Sequence, residues 1–342
     1  MKIMAKTQSV APGKLILSGE HSVVYGNPAL VMATNRYVTT TVQPQAASQI
    51  TFHFPDLKGA CNLTFEKLIQ VKNRLRENYQ CFIENHLNIG DVLQEPIELA
   101  QFVLSLLLEA AGITSLKRMN INIQSDIPMG CGMGSSAAAI LSMLSAIAHY
   151  LQISLSPELF FNLAQTAENI QHGHSSGLDL LSSMRGGCLY VKKDTISPRT
   201  PPALPLYIMN TGQPQVTTGD CVATVAPYFN QTDIGNDFAA VTDAMDQAFQ
   251  CNKMSDVITA IRENHKLLNT IGVVPLKEQQ MIADIEQKGG AAKISGAGAV
   301  AGDKAGIVLI AMEDENVLQK IARHYQQIII PVQCESRGVR VN

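Results

Sequence analysis

At 342 residues the chain is too long for one small hydrophobic core, so two domains are the first expectation. With 46% hydrophobic and 16% charged residues and no tryptophan, the composition is that of an ordinary soluble globular protein. A formal net charge of −3, with no long run of basic residues, gives no electrostatic footprint for nucleic acid or an acidic membrane surface.

Cys61, Cys81, Cys131, Cys188, Cys221, Cys251 and Cys334 contain no Cys-x-x-Cys pair and are odd in number. Neither a zinc or redox site nor a complete disulfide framework is expected; most should be small buried hydrophobes in a reducing compartment. The opening stretch "MKIMAKTQSVAPGK" lacks the apolar run of a signal peptide. The greasiest stretches, Val103–Leu108 and Ala137–Ala148, fall short of the ~20 residues that cross a bilayer. A cytoplasmic protein is expected.

In chain order, "KLILSG" and "NRYVTTTVQ" read as strands, with turn signals at Gly19, Gly26 and Asn27-Pro28 between them. Residues 64–111 are expected to be largely helical, and Met119, Ile121 and Ile123 alternate with polar residues as in a half-buried strand. The loop "DIPMGCGMG" then opens onto an Ala/Leu/Ile helix. The next helix is expected to start with Ser156 as cap and Pro157 in the first turn, and to stop at Gly173. "GGCLYVKK" reads as a strand. "DTISPRTPPALP", with four prolines and no periodicity, is the candidate interdomain connection. Beyond it come a strand at Leu206–Asn210, several helices, strands at Ala291–Ser295 and Ile307–Met312, a helix and a last strand in "IIIPVQ". The mixture predicts two α+β domains.

The segment Gly130, Cys131, Gly132, Met133, Gly134, Ser135, Ser136 carries the chemistry. It lacks the lysine of a P-loop and the Gly-x-Gly-x-x-Gly spacing of a dinucleotide fold. Closely spaced glycines nevertheless let backbone N–H groups approach an anion, and a helix N-terminus adds unpaired N–H groups and a positive dipole end. The plainer reading is a glycine turn whose serines cap a core helix.

"PMGCGMGSSAA" resembles the nucleotide loop of the GHMP kinases, the galactose, homoserine, mevalonate and phosphomevalonate kinases. Two further motifs resemble that family in the same order: "APGKLILSGEHSVVYG", Ala11 to Gly26, and "AKISGAGAVAGDKAG", Ala292 to Gly306. The resemblance implies an α+β, two-domain fold, with a ribosomal protein S5 domain 2-like nucleotide- and substrate-binding domain at 1–203 and a ferredoxin-like domain at 204–342. It implies ATP and magnesium, a small-molecule acceptor, no nucleic acid or membrane partner, and leaves a homodimer open.

By the same resemblance Asp179, in "HGHSSGLD", is the base that helps the acceptor hydroxyl lose its proton, with Ser175 standing where the family has proline. Lys14 is its partner, favouring the alkoxide. Glu168 and Ser136 are the magnesium ligands. On the residues alone, Asp179 could equally be a first-turn aspartate stabilised by the helix dipole, Glu168 a solvated helix glutamate, and Lys14 an exposed strand lysine.

"GEHSVVYG" is similar to the mevalonate-acting members, so Glu20 and His21 are expected to bond the hydroxyls or carboxylate of a small branched acid; His21 could also be satisfied within its turn. Thr211 is a candidate near the transferring phosphate or a plain turn residue. In the C-terminal glycine motif Gly296, Ala297 and Gly298 are intact, while Ala299, Val300 and Ala301 replace the family's further glycines and restrict the backbone. The implied reaction is phosphorylation of the C5 hydroxyl of mevalonate. The alternatives are phosphomevalonate or another small-acid acceptor, and, more remotely, a silent ATP-binding protein.

Overall fold

The computed structural model describes residues 6–342 apart from 58, 117, 194 and 202. The first five residues of the opening stretch, and Asp194 and Pro202 of the proline-rich segment, lie outside it.

The first part of the chain builds seven strands of an eight-stranded sheet. Strands β1 (Thr7–Ser18) and β2 (Ala29–Gln43) form its antiparallel centre. Along β2, Val38, Thr40 and Val42 are buried while their neighbours are not, the period of two that β-branched residues favour on a half-covered sheet. There follow β3 (Ile50–Phe54), β4 (Gly59–Leu63), helices α1 (Phe65–Ile83) and α2 (Ile97–Ala110), and β5 (Met119–Ser125), which pairs antiparallel with β2 and parallel with β3. Helix α3 (Ser135–Leu151) lies across β1 and β2 with Ala137, Ala138, Ile140, Leu141 and Leu144 fully buried.

Helix α4 (Pro157–His172) is capped as expected: the Ser156 hydroxyl accepts from Leu159 N–H at 3.1 Å and Pro157 takes the first position. Of its apolar stripe, Ala164, Ala167 and Ile170 are buried, whereas Leu159 in the first turn is exposed. A short helix α5 (Leu178–Arg185) leads into β6 (Cys188–Lys192) and β7 (Thr195–Arg199). The proline-rich segment is therefore not wholly irregular. β7 pairs with β6 alone, and an edge strand tolerates Pro198 because its missing N–H has no ladder partner to lose.

From β8 (Leu206–Asn210) onward a second, four-stranded antiparallel sheet forms. Helices α6 (Thr218–Gln231), α7 (Ile234–Gln250), α8 (Met254–Thr270) and α9 (Leu276–Gln287) precede β9 (Ala291–Ser295) and β10 (Ile307–Ala311); α10 (Glu315–His324) and β11 (Ile329–Val332) complete it in the order β11-β8-β10-β9. β12 (Arg340–Val341) returns to pair with β1 in the first sheet. The architecture is α+β, with one apolar core around α2, α3 and the first sheet and another around the second sheet.

All seven cysteines are free thiols, but only Cys131, Cys188 and Cys221 are buried; Cys81 and Cys251 are exposed. Among the described residues no helix is long and apolar enough to cross a membrane.

Candidate active site

β1 is irregular at two places, between Pro12 and Lys14 and between Ile16 and Ser18, and both are where it meets other parts of the site. At the first, Lys14 N–H donates to the Met133 carbonyl at 2.9 Å, joining the strand to the glycine loop. Gly13 makes this approach feasible, since a Cβ there would stand 2.9 Å from Ile127 Cδ1 and 3.0 Å from the Met133 oxygen.

Gly130, Gly132 and Gly134 all have positive φ, the conformation for which L side chains are poorly suited. Gly134 is the N-cap of α3 and supplies no side-chain cap, so the first amides of α3 lack the usual capping partner. Behind the loop the C-terminal glycine motif closes in: a Cβ on Gly132 would lie 3.1 Å from the Ser295 oxygen, and one on Gly306 would lie 2.7 Å from the Cys131 oxygen.

Lys14 is 4% exposed and its Nζ stands 3.0 Å from Asp179 Oδ1, in the first turn of α5. The alternative reading of an exposed strand lysine does not hold. Gly134 passes directly over this pair, because a Cβ there would be 3.0 Å from Lys14 Cγ and 3.5 Å from Asp179 Oδ2. The glycine loop, the lysine and the aspartate thus share one place.

Glu168, in the last turns of α4, is only 3% exposed, so the solvated-glutamate reading fails. Burial first, and then the charge of Asp179, push its carboxyl up to about 7. Ser175 holds it in place: its hydroxyl donates to Glu168 Oε2, and its N–H donates to Asn169 Oδ1 at 2.8 Å. A proline could supply neither bond, so the serine fixes this loop by hydrogen bonds instead of by ring geometry. Ser136 Oγ lies 3.2 Å from His172 Nε2, at the end of the same helix.

These groups fit a divalent cation. Two acidic side chains in electrostatic contact share a single nearby lysine, and among the described residues no third His, Cys, Asp or Glu completes a protein cage. Magnesium uses one or two carboxylates and takes its remaining ligands from phosphates and water.

The second irregularity of β1 meets β9. Ser295 Oγ accepts from Ile16 N–H at 3.0 Å and lies 3.1 Å from the Ile16 carbonyl as donor. Lys293, fully buried, forms an ion pair with Glu20, itself 1% exposed, and donates to the carbonyls of Ile294 at 2.9 Å and Ile16 at 3.3 Å. Burial pushes both groups toward their neutral forms, Glu20 up and Lys293 down, against the attraction of the pair.

His21 adopts φ 60, an uncommon conformation for a non-glycine residue. Its Nε2 donates to the Ala297 carbonyl at 2.9 Å. Burial lowers its pKa to about 4, so the ring is neutral at pH 7 and Nδ1 is an acceptor. Neither His21 Nδ1 nor Glu20 Oε2 has a hydrogen-bond partner among the described residues.

Thr211 sits apart from this group, in the loop after β8. Its hydroxyl donates to the Gly306 carbonyl at 3.1 Å and accepts from Ala305 N–H at 3.0 Å, tying β8 to the C-terminal glycine loop. Within that loop Gly296, Gly298, Gly302 and Gly306 carry the positive φ values, whereas Ala299, Val300 and Ala301 do not need them. The freedom missing at the alanines is placed at Gly302 and Gly306.

Sequence reasoning passed over Lys293 and His172, and took Ser175 only as a departure from the family's proline. The first left a signal, a lone charge inside the otherwise apolar strand "AAKIS".

Residues 98–187 match the family described as GHMP kinases N terminal domain, a stretch containing the glycine loop, Glu168 and Asp179. The chain is 27% identical over 309 residues to a mevalonate kinase of Thermococcus sibiricus, with 87% of each protein covered. Its fold matches a Methanococcus jannaschii mevalonate kinase with a TM-score of 0.78 and 22% identity, over 98% of this chain and 99% of that one. It also matches a Streptococcus pneumoniae phosphomevalonate kinase with a TM-score of 0.70 and 15% identity, over 97% and 100%. The chain has the GHMP kinase fold, and residues 98–187 within it resemble that family's N-terminal domain. Among the curated proteins it resembles are several mevalonate kinases.

Proposed function

We propose that the chain transfers the γ-phosphoryl group of ATP to a hydroxyl of a small acceptor acid, the C5 hydroxyl of mevalonate. The observation that carries this reading is the position of Gly134, which caps α3 and lies against both Lys14 and Asp179. A triphosphate tail gripped by the amides of residues 130–136 would therefore end beside the Lys14–Asp179 pair, as an in-line transfer requires.

Asp179 accepts or orients the hydroxyl proton, and Lys14, 3.0 Å from that carboxylate, offsets the negative charge growing on the acceptor oxygen. Glu168 and Ser136 would hold magnesium, which when bound neutralises charge on the phosphate oxygens. His172 Nε2 shares a hydrogen bond with Ser136 Oγ at 3.2 Å and so ties that hydroxyl to the end of α4.

Acceptor identity is read from two open acceptors. Glu20 Oε2 and His21 Nδ1, on adjacent residues, call for donors, and hydroxyl groups supply them. The two buried lysines of the site are already engaged, Lys14 by Asp179 and Lys293 by Glu20, which leaves, among the described residues, no unpaired buried lysine there for a phosphate on the acceptor. This supports mevalonate over phosphomevalonate.

Release of ADP across a panel of mevalonate, phosphomevalonate, galactose and homoserine tests the reading. Turnover with mevalonate is expected; turnover of phosphomevalonate with mevalonate ignored would overturn it. Asp179→Asn should lower turnover by about 10²–10⁴-fold with ATP affinity within a few fold. Near-normal turnover would remove Asp179 from its role.

A further inference from the structure

We propose that Lys293 is a positioning residue of the acceptor subsite: it clamps one oxygen of Glu20 and so presents the other to a substrate hydroxyl. The inference rests on the reading above, in which Glu20 meets the acceptor.

An ammonium group has three donors, and here all three are used, on Glu20, Ile16 and Ile294. Lys293 is thus fixed in place and acts on the reaction only through its partners. Packing alone gives no reason for it, because a buried ion pair adds little net stability over apolar residues of similar size. A purely structural pair would also satisfy both carboxylate oxygens, yet Oε2 of Glu20 is buried with no hydrogen-bond partner among the described residues.

Two alternate side chains of β9, Lys293 and Ser295, and a backbone carbonyl of the loop just after it build this wall. Lys293 reaches Glu20 and Ile16, Ser295 brackets the backbone of Ile16, and the Ala297 carbonyl receives His21 Nε2. Successive side chains of a strand alternate in direction, so every second position faces β1 and the turn that follows it. The two open acceptors, Glu20 Oε2 and His21 Nδ1, are both aimed by this segment. The charge of Lys14 is felt by both Glu20 and Lys293.

A double-mutant cycle on the acceptor KM tests the inference, with ADP and magnesium titrated by calorimetry as the nucleotide probe. Lys293→Met should raise the acceptor KM by about tenfold or more and leave the ADP dissociation constant within about twofold. Glu20→Gln should raise the acceptor KM as well, and Lys293→Met with Glu20→Gln should be no worse than Glu20→Gln alone, since both changes act through one carboxylate. The double variant should also regain the urea midpoint lost in Lys293→Met, because it removes both buried charges.

An unchanged acceptor KM in Lys293→Met overturns the proposal. So does an effect that multiplies with that of Glu20→Gln, or a KM that returns to the wild-type value once folding is restored. If Lys293→Met does not fold, Lys293→Gln, which keeps a donor but not the charge or the reach, is read in the same way. A wild type inert toward every acceptor overturns the functional reading and this inference together. An active wild type with a multiplicative cycle overturns the inference alone.

Discussion

Glu20 and Glu168 are both almost sealed from solvent, and burial pushes both carboxyls up, yet their neighbours differ in charge. Glu20 has a cation of the chain itself, Lys293, in contact. Glu168 has a neutral donor, the Ser175 hydroxyl, and its strongest charged neighbour is Asp179, which pushes it further in the unfavourable direction. The first carboxylate is compensated within the fold. The second is left with negative charge in excess, next to a helix N-terminus suited to anions, and this is where an external cation has work to do.

The sharpest way to break that comparison is to remove charge from each side. Lys293→Met strands a buried carboxylate and should lower stability by about 3–5 kcal/mol. Glu168→Gln in metal-free protein should act in the opposite sense. The folded pKa of Glu168 lies above its ordinary value, so ionising it costs stability, by an amount that grows as pH rises from about 4.5 through about 7 and then levels off. Glu168→Gln removes that cost and should stabilise by about 1–3 kcal/mol at pH 8. Urea unfolding of both variants measures the difference, and equal destabilisation by the two would erase it. In the metal-dependent assay the order reverses. Glu168→Gln should raise the magnesium concentration for half-maximal rate by about 10–100-fold, and an unchanged requirement would exclude Glu168 as a ligand.

Much of the Glu168 side of this contrast was legible in the sequence, and little of the Glu20 side. The glycine loop shows itself because positive φ at Gly130, Gly132 and Gly134 demands a residue type at each position, and those positions lie within five residues of sequence. Glu168 and Asp179 follow on neighbouring helices, within the span that the family match covers. The Glu20–Lys293 pair joins residues 273 apart in sequence, and only the crossing of β1 and β9 brings them together. No local pattern encodes such a contact; the most a sequence can display is a charge in an apolar strand. The misreading of Thr195–Arg199 has a different cause. Prolines argue against a central strand, but β7 lies at an edge, where that argument loses its force.

Acidification probes the same wall through its histidines. Burial lowers both His21 and His265 to about 4, and the charge of Lys293 adds to the effect at His265. A histidine with a lowered folded pKa is bound neutral, so its contribution is complete above its unfolded value of about 6.5 and is lost as pH falls toward about 4. The unfolding free energy measured in urea should therefore decline across that window, by on the order of 3 kcal/mol for each histidine. His265→Gln should flatten the decline. A slope unchanged in that variant would mean that the histidine is not buried neutral.

The smallest expected effect lies at Ser175. Its hydroxyl donates to Glu168 and also accepts from Gly177 N–H at 3.0 Å, so it couples the carboxylate to the turn that starts α5 and carries Asp179. Ser175→Ala removes both bonds while keeping the backbone N–H that Asn169 receives. Loss of one donor to a carboxylate corresponds to about 1 kcal/mol, or several fold in magnesium requirement, with no change in acceptor KM. Ser175→Pro should cost more than Ser175→Ala, because it also deletes the N–H on Asn169. If the proline variant instead matched the wild type in magnesium requirement, ring rigidity alone would be enough to set the Glu168 side chain, and the hydrogen bonds of Ser175 would be incidental.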